Sequence, residues 1–288
     1  PGLYTTDMFS YVMYSHIAGV LQVNPYTSMP SWFPDVRIFH WIHPIWQNAP
    51  SIYGPAWIDM TLPLARRVAN ASEVDKVLAY KALVNVGHLV AVALIGYVSH
   101  RLRPGSALEA VTMYAWNPLL LFEFGGNGHN DAMMVCAMLV ALALYTSSAR
   151  WVGMVTAVVA VLLKMTALFL LPYYAMAWAR EQATWVRFFA VGILATLTIP
   201  VVVVAFYLPW WDGPATIGPI LLWSQGPMFN NYVPDGLAFY LAGQRIIEAG
   251  GLIDPQVALE QSRDQIKSVA RVFFVIWCAI ELWRGWGG

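Results

Sequence analysis

Charge and cysteine are what this sequence has least of. Only 11% of its 288 residues are Asp, Glu, Lys or Arg, where a soluble domain carries roughly 25%, so the chain cannot clothe itself in charged surface. The sixteen basic and sixteen acidic side chains cancel, and no basic run exceeds Arg66-Arg67, which excludes the electrostatic footprint of a nucleic-acid binder. Cys136 and Cys278 each sit inside an apolar run, where a thiol behaves as a small hydrophobe, so no disulfide is expected and no redox compartment follows. Also missing are a P-loop, a dinucleotide glycine fingerprint, a G-x-S-x-G elbow and an Asp-x-Asp pair for a metal-bound nucleotide sugar, which disfavours nucleotide-driven chemistry.

What is abundant is apolar length. Hydrophobic residues make up 59% of the chain, mean hydropathy is +0.56, and the windows 82–99, 132–149 and 188–211 contain no Asp, Glu, Lys or Arg. Each reaches the ~18 residues that read as a membrane-crossing helix. The expected fold class is therefore all-α, a polytopic transmembrane helix bundle with external amphipathic and re-entrant segments. Spans are expected near 76–100, 107–124, 130–146, 151–179, 187–208 and 269–284. Residues 1–75, aromatic and rich in proline, predict an external loop with interfacial helices over 8–22 and over 56–69, the latter interrupted at Pro63. The corresponding division is 1–75 external loop, 76–208 transmembrane core, 209–268 external loop and 269–288 C-terminal transmembrane helix within one membrane domain. The sequence opens on Pro1 and a polar stretch, so a preceding helix is expected to be missing from it.

Lys and Arg are retained on the cytoplasmic side, which places Arg101, Arg103 and Arg150 there and residues 1–75 with the Glu123–Asp131 loop outside. Segment 151–179 reads either as one helix with Lys164 at mid-membrane or as two short helices turning around Lys164; the broken version returns Arg180 and Arg187 to the cytoplasm and is preferred. Its halves are too short to cross, so the turn must lie in a cavity rather than in lipid.

Several residues can carry chemistry. Asp7 is a carboxylate at the external mouth, suited to act as a general base, or an ordinary helix cap beside Thr5-Thr6. In Glu123-Phe124-Gly125-Gly126-Asn127-Gly128-His129-Asn130-Asp131, three glycines bring backbone close while a ring, an amide and a carboxylate follow; plain turn and capping chemistry accounts for the same letters. Glu123 ends an apolar span, as a site residue or as a side chain snorkelling outward. Burying Lys164 between VVAVLL and MTALFLL costs at least ~2.5 kcal/mol unless an anion compensates, and either a phosphate or a structural carboxylate fits. Arg37, His40 and His43 form a second cationic cluster or a solvated loop; Pro44 argues against a helical His pair holding zinc.

The order Asp7-x3-Tyr11, Gly19-Val20-Leu21-Gln22-Val23-Asn24-Pro25-Tyr26, Ile52-Tyr53-Gly54-Pro55, Trp116-Asn117-Pro118-Leu119 running into Glu123 and Gly128-His129-Asn130-Asp131, then Leu163-Lys164 and Leu171-Pro172, resembles the multi-pass GT-C glycosyltransferases. The likeness is to the bacterial and archaeal enzymes that use polyprenyl-phosphate mannose, and it covers roughly residues 5–175. The resemblance implies a hexosyltransferase, with mannose the expected sugar, acting with inversion on a glycan or glycolipid acceptor at the outer face of a prokaryotic plasma membrane. Its lipid-phosphate sugar donor enters from the bilayer, with no nucleotide; no metal ligand and no cofactor are assigned. By position Asp7 is the catalytic base, Tyr11, Asn24, Tyr53, Glu123, His129, Asn130 and Asp131 bind substrate, and Lys164 and Arg37 meet phosphate. A secondary transporter or lipid flippase with a polar site in a broken-helix cavity is the rival reading, and a noncatalytic scaffold is the third. Convergence of Asp7, His129, Asn130, Asp131 and Lys164 favours transfer, whereas a polar path through to Arg101 and Arg150 favours transport.

Overall fold

A computed structural model describes residues 5–219 and 233–286. The described residues are helical and contain no strand. They fall into two compact units divided after Ile220. In the first unit the principal helices are α1 (Asp7–Gly19), α2 (Pro55–Arg67), α3 (Glu73–Leu102), α4 (Ala107–Ala115), α5 (Asp131–Thr146), α6 (Arg150–Leu163), α7 (Leu170–Arg180) and α8 (Trp185–Tyr207). Among the described residues, α3 and the helix running from Trp185 on to Trp210 are each long and apolar enough to cross a membrane. A third span is present if Pro118–Asn127 and Asp131–Thr146, bent by 118°, are counted together.

Local signals set the boundaries. Ser72 caps α3, its Oγ accepting from Asp75 N at 3.2 Å while donating to Asp75 Oδ2 at 2.7 Å. Glu73 and Asp75 in the first turn and His100 and Arg101 in the last suit the helix dipole. The span expected over 107–124 is instead divided. The α4 helix stops at Ala115, and Asn117 starts a new helix by accepting from Leu119 N at 2.9 Å and Leu120 N at 3.4 Å, with Pro118 at the first position. Pro63, expected to interrupt α2, lies inside it without ending it; it removes one hydrogen bond and the surrounding turns hold.

The α1 helix, expected to be amphipathic, is enclosed by protein on almost every side. Met8, Tyr11, Tyr14 and Ile17 are almost wholly enclosed and pack with Trp57, Ile58, Tyr80 and Val84. Ser15 tolerates this because its Oγ donates to Tyr11 O at 2.8 Å and pairs with Thr61 Oγ1 at 2.7 Å.

The 151–179 segment is broken. The α6 helix ends at Leu163, Lys164 is extended (φ −155°, ψ 129°), residues Met165–Phe169 form a 3-10 turn, and α7 follows. Fourteen residues in α6 rise only about 21 Å at 1.5 Å each, short of a ~30 Å hydrocarbon core. At the far end of this hairpin Arg150 pairs with Glu181, Tyr145 donates to Glu181 Oε1 at 2.5 Å, and Tyr174 donates to Arg150 O at 3.0 Å.

The second unit, considered by itself, is a helical hairpin of α9 (Val233–Glu248) and α10 (Pro255–Trp286). Gly250 (φ 61°) and Gly251 (φ 81°) make the turn, and Arg245 donates to Gln261 and Gln265 at 3.2 and 2.6 Å. Within the expected 209–268 loop, residues 220–232 lie outside the described residues. The helix expected from 269 begins at Pro255, where Asp254 Oδ1 accepts from Gln256 N at 2.8 Å.

Candidate functional site

The site is built by the bend between Pro118–Asn127 and α5. Residues Leu121–Asn127 form a π-helical turn, a widened geometry that recurs at functional positions. Gly128 ends it in the left-handed region (φ 74°, ψ 35°). A Cβ there would meet the flexible end of Met8 and lie 3.1 Å from Lys81 Cγ, and the left-handed conformation itself favours glycine. His129 N then donates to Glu123 O at 3.0 Å, and the chain enters α5.

The bend aims its side chains at the start of α1. His129 Nδ1 lies 3.5 Å from Asp7 Oδ2, and His129 Nε2 lies 3.2 Å from Glu123 Oε2. Asn127 Nδ2 donates to the same Glu123 oxygen at 3.2 Å. One imidazole thus bridges two carboxylates, each about a third exposed, at 35% for Asp7 and 34% for Glu123. Glu123 is turned toward His129 rather than snorkelling away.

Neither Asp7 nor Asn130 caps its helix through its side chain. Thr6 holds the cap position of α1, and Asp7 keeps its carboxylate toward His129. Asn130 Oδ1 accepts from the Tyr11 hydroxyl at 3.2 Å, and Asn130 N donates back to that hydroxyl at 3.4 Å. Asn130 Nδ2 is buried with no hydrogen-bond partner. Asp131 Oδ2 takes the Lys164 ammonium at 2.5 Å, with both side chains about a third exposed. This joins the break in the α6–α7 hairpin to the first turn of α5.

Tyr11 ties these groups together. Burial holds its hydroxyl well above the usual tyrosine range; the negative charges of Asp7 and Asp131 reinforce this, while the Asn130 hydrogen bond opposes it. Its ring meets Tyr53 at 4.8 Å and Trp57 at 5.1 Å, both edge-on. Tyr53 is likewise raised, by burial first and then by Tyr11 and Asp7. It reaches this position because Gly54 lies against the end of α6, where a Cβ would strike the Leu162 carbonyl.

Asp7, Tyr11, Tyr53, Glu123, His129, Asn130, Asp131 and Lys164 are thereby brought into one contiguous network. Asn24 and Arg37 are not part of it. The Asn24 amide donates to Trp210 O at 2.7 Å and its Oδ1 accepts from Tyr26 N at 3.0 Å, a loop-fastening role. Arg37 is exposed on the 3-10 turn Arg37–Trp41 and makes no ion pair among the described residues. His40 is exposed and His43 Nδ1 accepts from Ile45 N at 3.4 Å. Among the described residues, no three His, Cys, Asp or Glu side chains are grouped to hold a metal ion.

Sequence reasoning passed over two polar groups, one in the network and one bonded to Trp210 instead. Asn127 sits four residues after Glu123, a spacing that a helix through the glycines would have exposed. Asp59, in an otherwise apolar stretch of α2, accepts from Trp210 Nε1 at 2.9 Å; burial raises its carboxyl above the usual range and that bond partly offsets the rise.

No solved structure matches the chain. Alpha-(1->6)-mannopyranosyltransferase A of Mycobacterium tuberculosis (strain ATCC 25618 / H37Rv) is 28% identical over 188 residues, which cover 63% of this chain and 35% of the relative. The chain thus aligns with about a third of the length of that curated relative. Residues 1–180, which contain the whole network from Asp7 to Lys164, match the family described as alpha-(1->6)-mannopyranosyltransferase, N-terminal domain. The chain belongs to this alpha-(1->6)-mannopyranosyltransferase family.

Proposed function

We propose that the protein is a membrane mannosyltransferase that transfers mannose from a polyprenyl-phosphate donor to a hydroxyl of a glycan or glycolipid acceptor at the outer membrane face, forming an α-(1→6) linkage. The observation that carries this reading is the meeting of Asp7, the Glu123–Asp131 bend and Lys164 in one partly open network. Asp7 is the general base. Its carboxylate, 35% exposed, is reachable by an acceptor hydroxyl and is oriented by His129, whose other nitrogen faces Glu123. As the acceptor O–H gives its proton to Asp7, its oxygen forms the bond to the anomeric carbon. The bond from that carbon to the phosphate oxygen breaks, and polyprenyl phosphate departs with the electron pair. Inversion makes an α product from a β-linked donor. The departing phosphate gains negative charge, which Lys164 and His129 stabilise at close range and Arg37 attracts from the exposed segment. Asn130 Nδ2, lacking a partner, and Tyr53 orient sugar hydroxyls.

The packing weighs against transport. Ala141, Met154, Ala157, Val158 and Ala160, between the network and the Arg150 end of the hairpin, are fully buried apolar residues, and a polar pathway has no room among them. Reconstituted full-length protein, given radiolabelled polyprenyl-phosphate mannose or nucleoside-diphosphate mannose with an α-(1→6)-mannan acceptor, tests the reading. Label is expected in acceptor from the lipid donor alone; transfer from the nucleotide donor, or from neither, overturns it.

A further inference from the structure

We propose that Lys81 is the residue that takes hold of the lipid-borne phosphate as the donor arrives from the bilayer, an inference that rests on the site being a lipid-phosphosugar transferase. The other lysines near this face are already ion-paired. Lys76 pairs with Glu73 at 2.9 Å and Lys164 with Asp131 at 2.5 Å, whereas Lys81 has no ion-pair partner among the described residues. It lies eight residues into α3 from Glu73, about 12 Å along the helix, at the edge of the charge-free window. An ammonium without a carboxylate partner at that edge is available to an anion.

Its position fits that anion. The Lys81 stem lies against Gly128, with Cγ 3.1 Å from where a Cβ would stand, one residue before His129. Lys81, Asn85 and His88 recur at i, i+4 and i+7, which aligns them on one face of α3. That face meets the site-bearing bend throughout: Asn85 Oδ1 comes within 3.7 Å of the Cβ position of Gly125, and the His88 ring lies 5.6 Å from Phe124. On the adjoining face Leu78, Val86 and Leu89 are 46%, 58% and 66% exposed, the pattern of a surface wetted by lipid tails. Lys81 therefore stands on the seam between the lipid-facing stripe and the reaction site, where a phosphate on a long hydrocarbon chain can keep its tail in the bilayer while its charge meets the ammonium. Lys164 and His129, deeper in the network, act on the phosphate as it leaves.

The test uses the full-length protein in nanodiscs, titrated with a polyprenyl monophosphate and followed by tryptophan fluorescence. Lys81→Met, which keeps the stem and removes the charge, is expected to weaken binding about 10- to 100-fold, the loss of one charge-assisted contact. Lys81→Arg restores it, and Arg103→Met, an equal charge loss at the other end of α3, leaves it unchanged. Inorganic phosphate that competes in a Lys81-dependent way shows that the phosphate alone is read; failure to compete shows that the lipid chain is needed, and both support the assignment. Wild-type affinity in Lys81→Met overturns it. Transfer assays separate the two proposals. Lys81-dependent lipid-phosphate binding without mannosyl transfer removes the transferase reading and spares this site, whereas full transfer with unchanged donor KM in Lys81→Met removes this site and spares the transferase.

Discussion

A carboxylate in the first turn of a helix usually satisfies backbone amides, and Asp7 does not. Its carboxylate faces His129 across 3.5 Å, leaving the cap position to Thr6. The same departure from ordinary end chemistry marks Asn130 and Asp131, whose side chains bond Tyr11 and Lys164. These residues were legible in the sequence because titratable groups are expensive beside apolar runs and therefore have partners. Asn24 was named on motif position and Arg37 as part of a cationic cluster with His40 and His43, and neither signal reports which way a loop is fastened. His16 provides a residue-scale prediction. Burial, reinforced by Lys76, holds its imidazole below the usual histidine value. A depressed folded value means that the unfolded chain binds the extra proton more readily, so stability is full above the ordinary histidine value and is lost as pH falls below it. The thermal midpoint of the wild type is expected to fall on acidification through this window, while His16→Gln loses less; equal slopes contradict the assignment.

At the scale of elements, the sequence was most informative where a charge interrupted an apolar run and least informative where a helix could be buried. The break at Lys164 followed from an uncompensated cation. The burial of α1 did not follow, because Ser10 and Ser15 gave it a surface-like pattern and nothing local reveals that Ser15 finds Thr61 across α2. The division of the 107–124 span was written in Asn117-Pro118, a cap followed by a residue suited to a first helical turn, but an apolar count passes over such a dipeptide. Gly54 connects two elements directly, lying where α6 ends and Lys164 begins. Its φ is −64°, so alanine is excluded by space rather than by backbone conformation. Gly54→Ala is expected to cost about 1–3 kcal/mol of stability through overpacking and to depress transfer more than its loss of fold explains, because the displaced segment is the one that carries Lys164. A variant with wild-type melting and turnover sinks that view.

For the whole molecule, the all-helical class and its apolar helices followed from the long charge-free windows, since a continuous apolar run of ~18 residues satisfies its backbone in lipid as a helix, whereas barrel strands are shorter and alternate. The second unit was less legible. A polar stretch of 209–268 reads as loop on hydropathy, yet 233–248 and 255–268 are helical, their periodicity diluted by charged faces. The proposed orientation has a direct consequence. In a protein whose Cys136 and Cys278 are replaced, a cysteine introduced at Ser31 is expected to react with an impermeant maleimide on intact cells, and one at Ser148 only after permeabilisation. Labelling of both from the same side contradicts the topology.

The central claim is that the first carboxylate of α1 removes the acceptor proton inside a network that reaches Lys164. Turnover of Asp7→Ala, measured with polyprenyl-phosphate mannose in proteoliposomes alongside its thermal midpoint, addresses this most directly. A fall of about 10²- to 10⁴-fold, the range of general-base catalysis, with the fold intact, is the predicted result; undiminished turnover in a folded Asp7→Ala protein contradicts it.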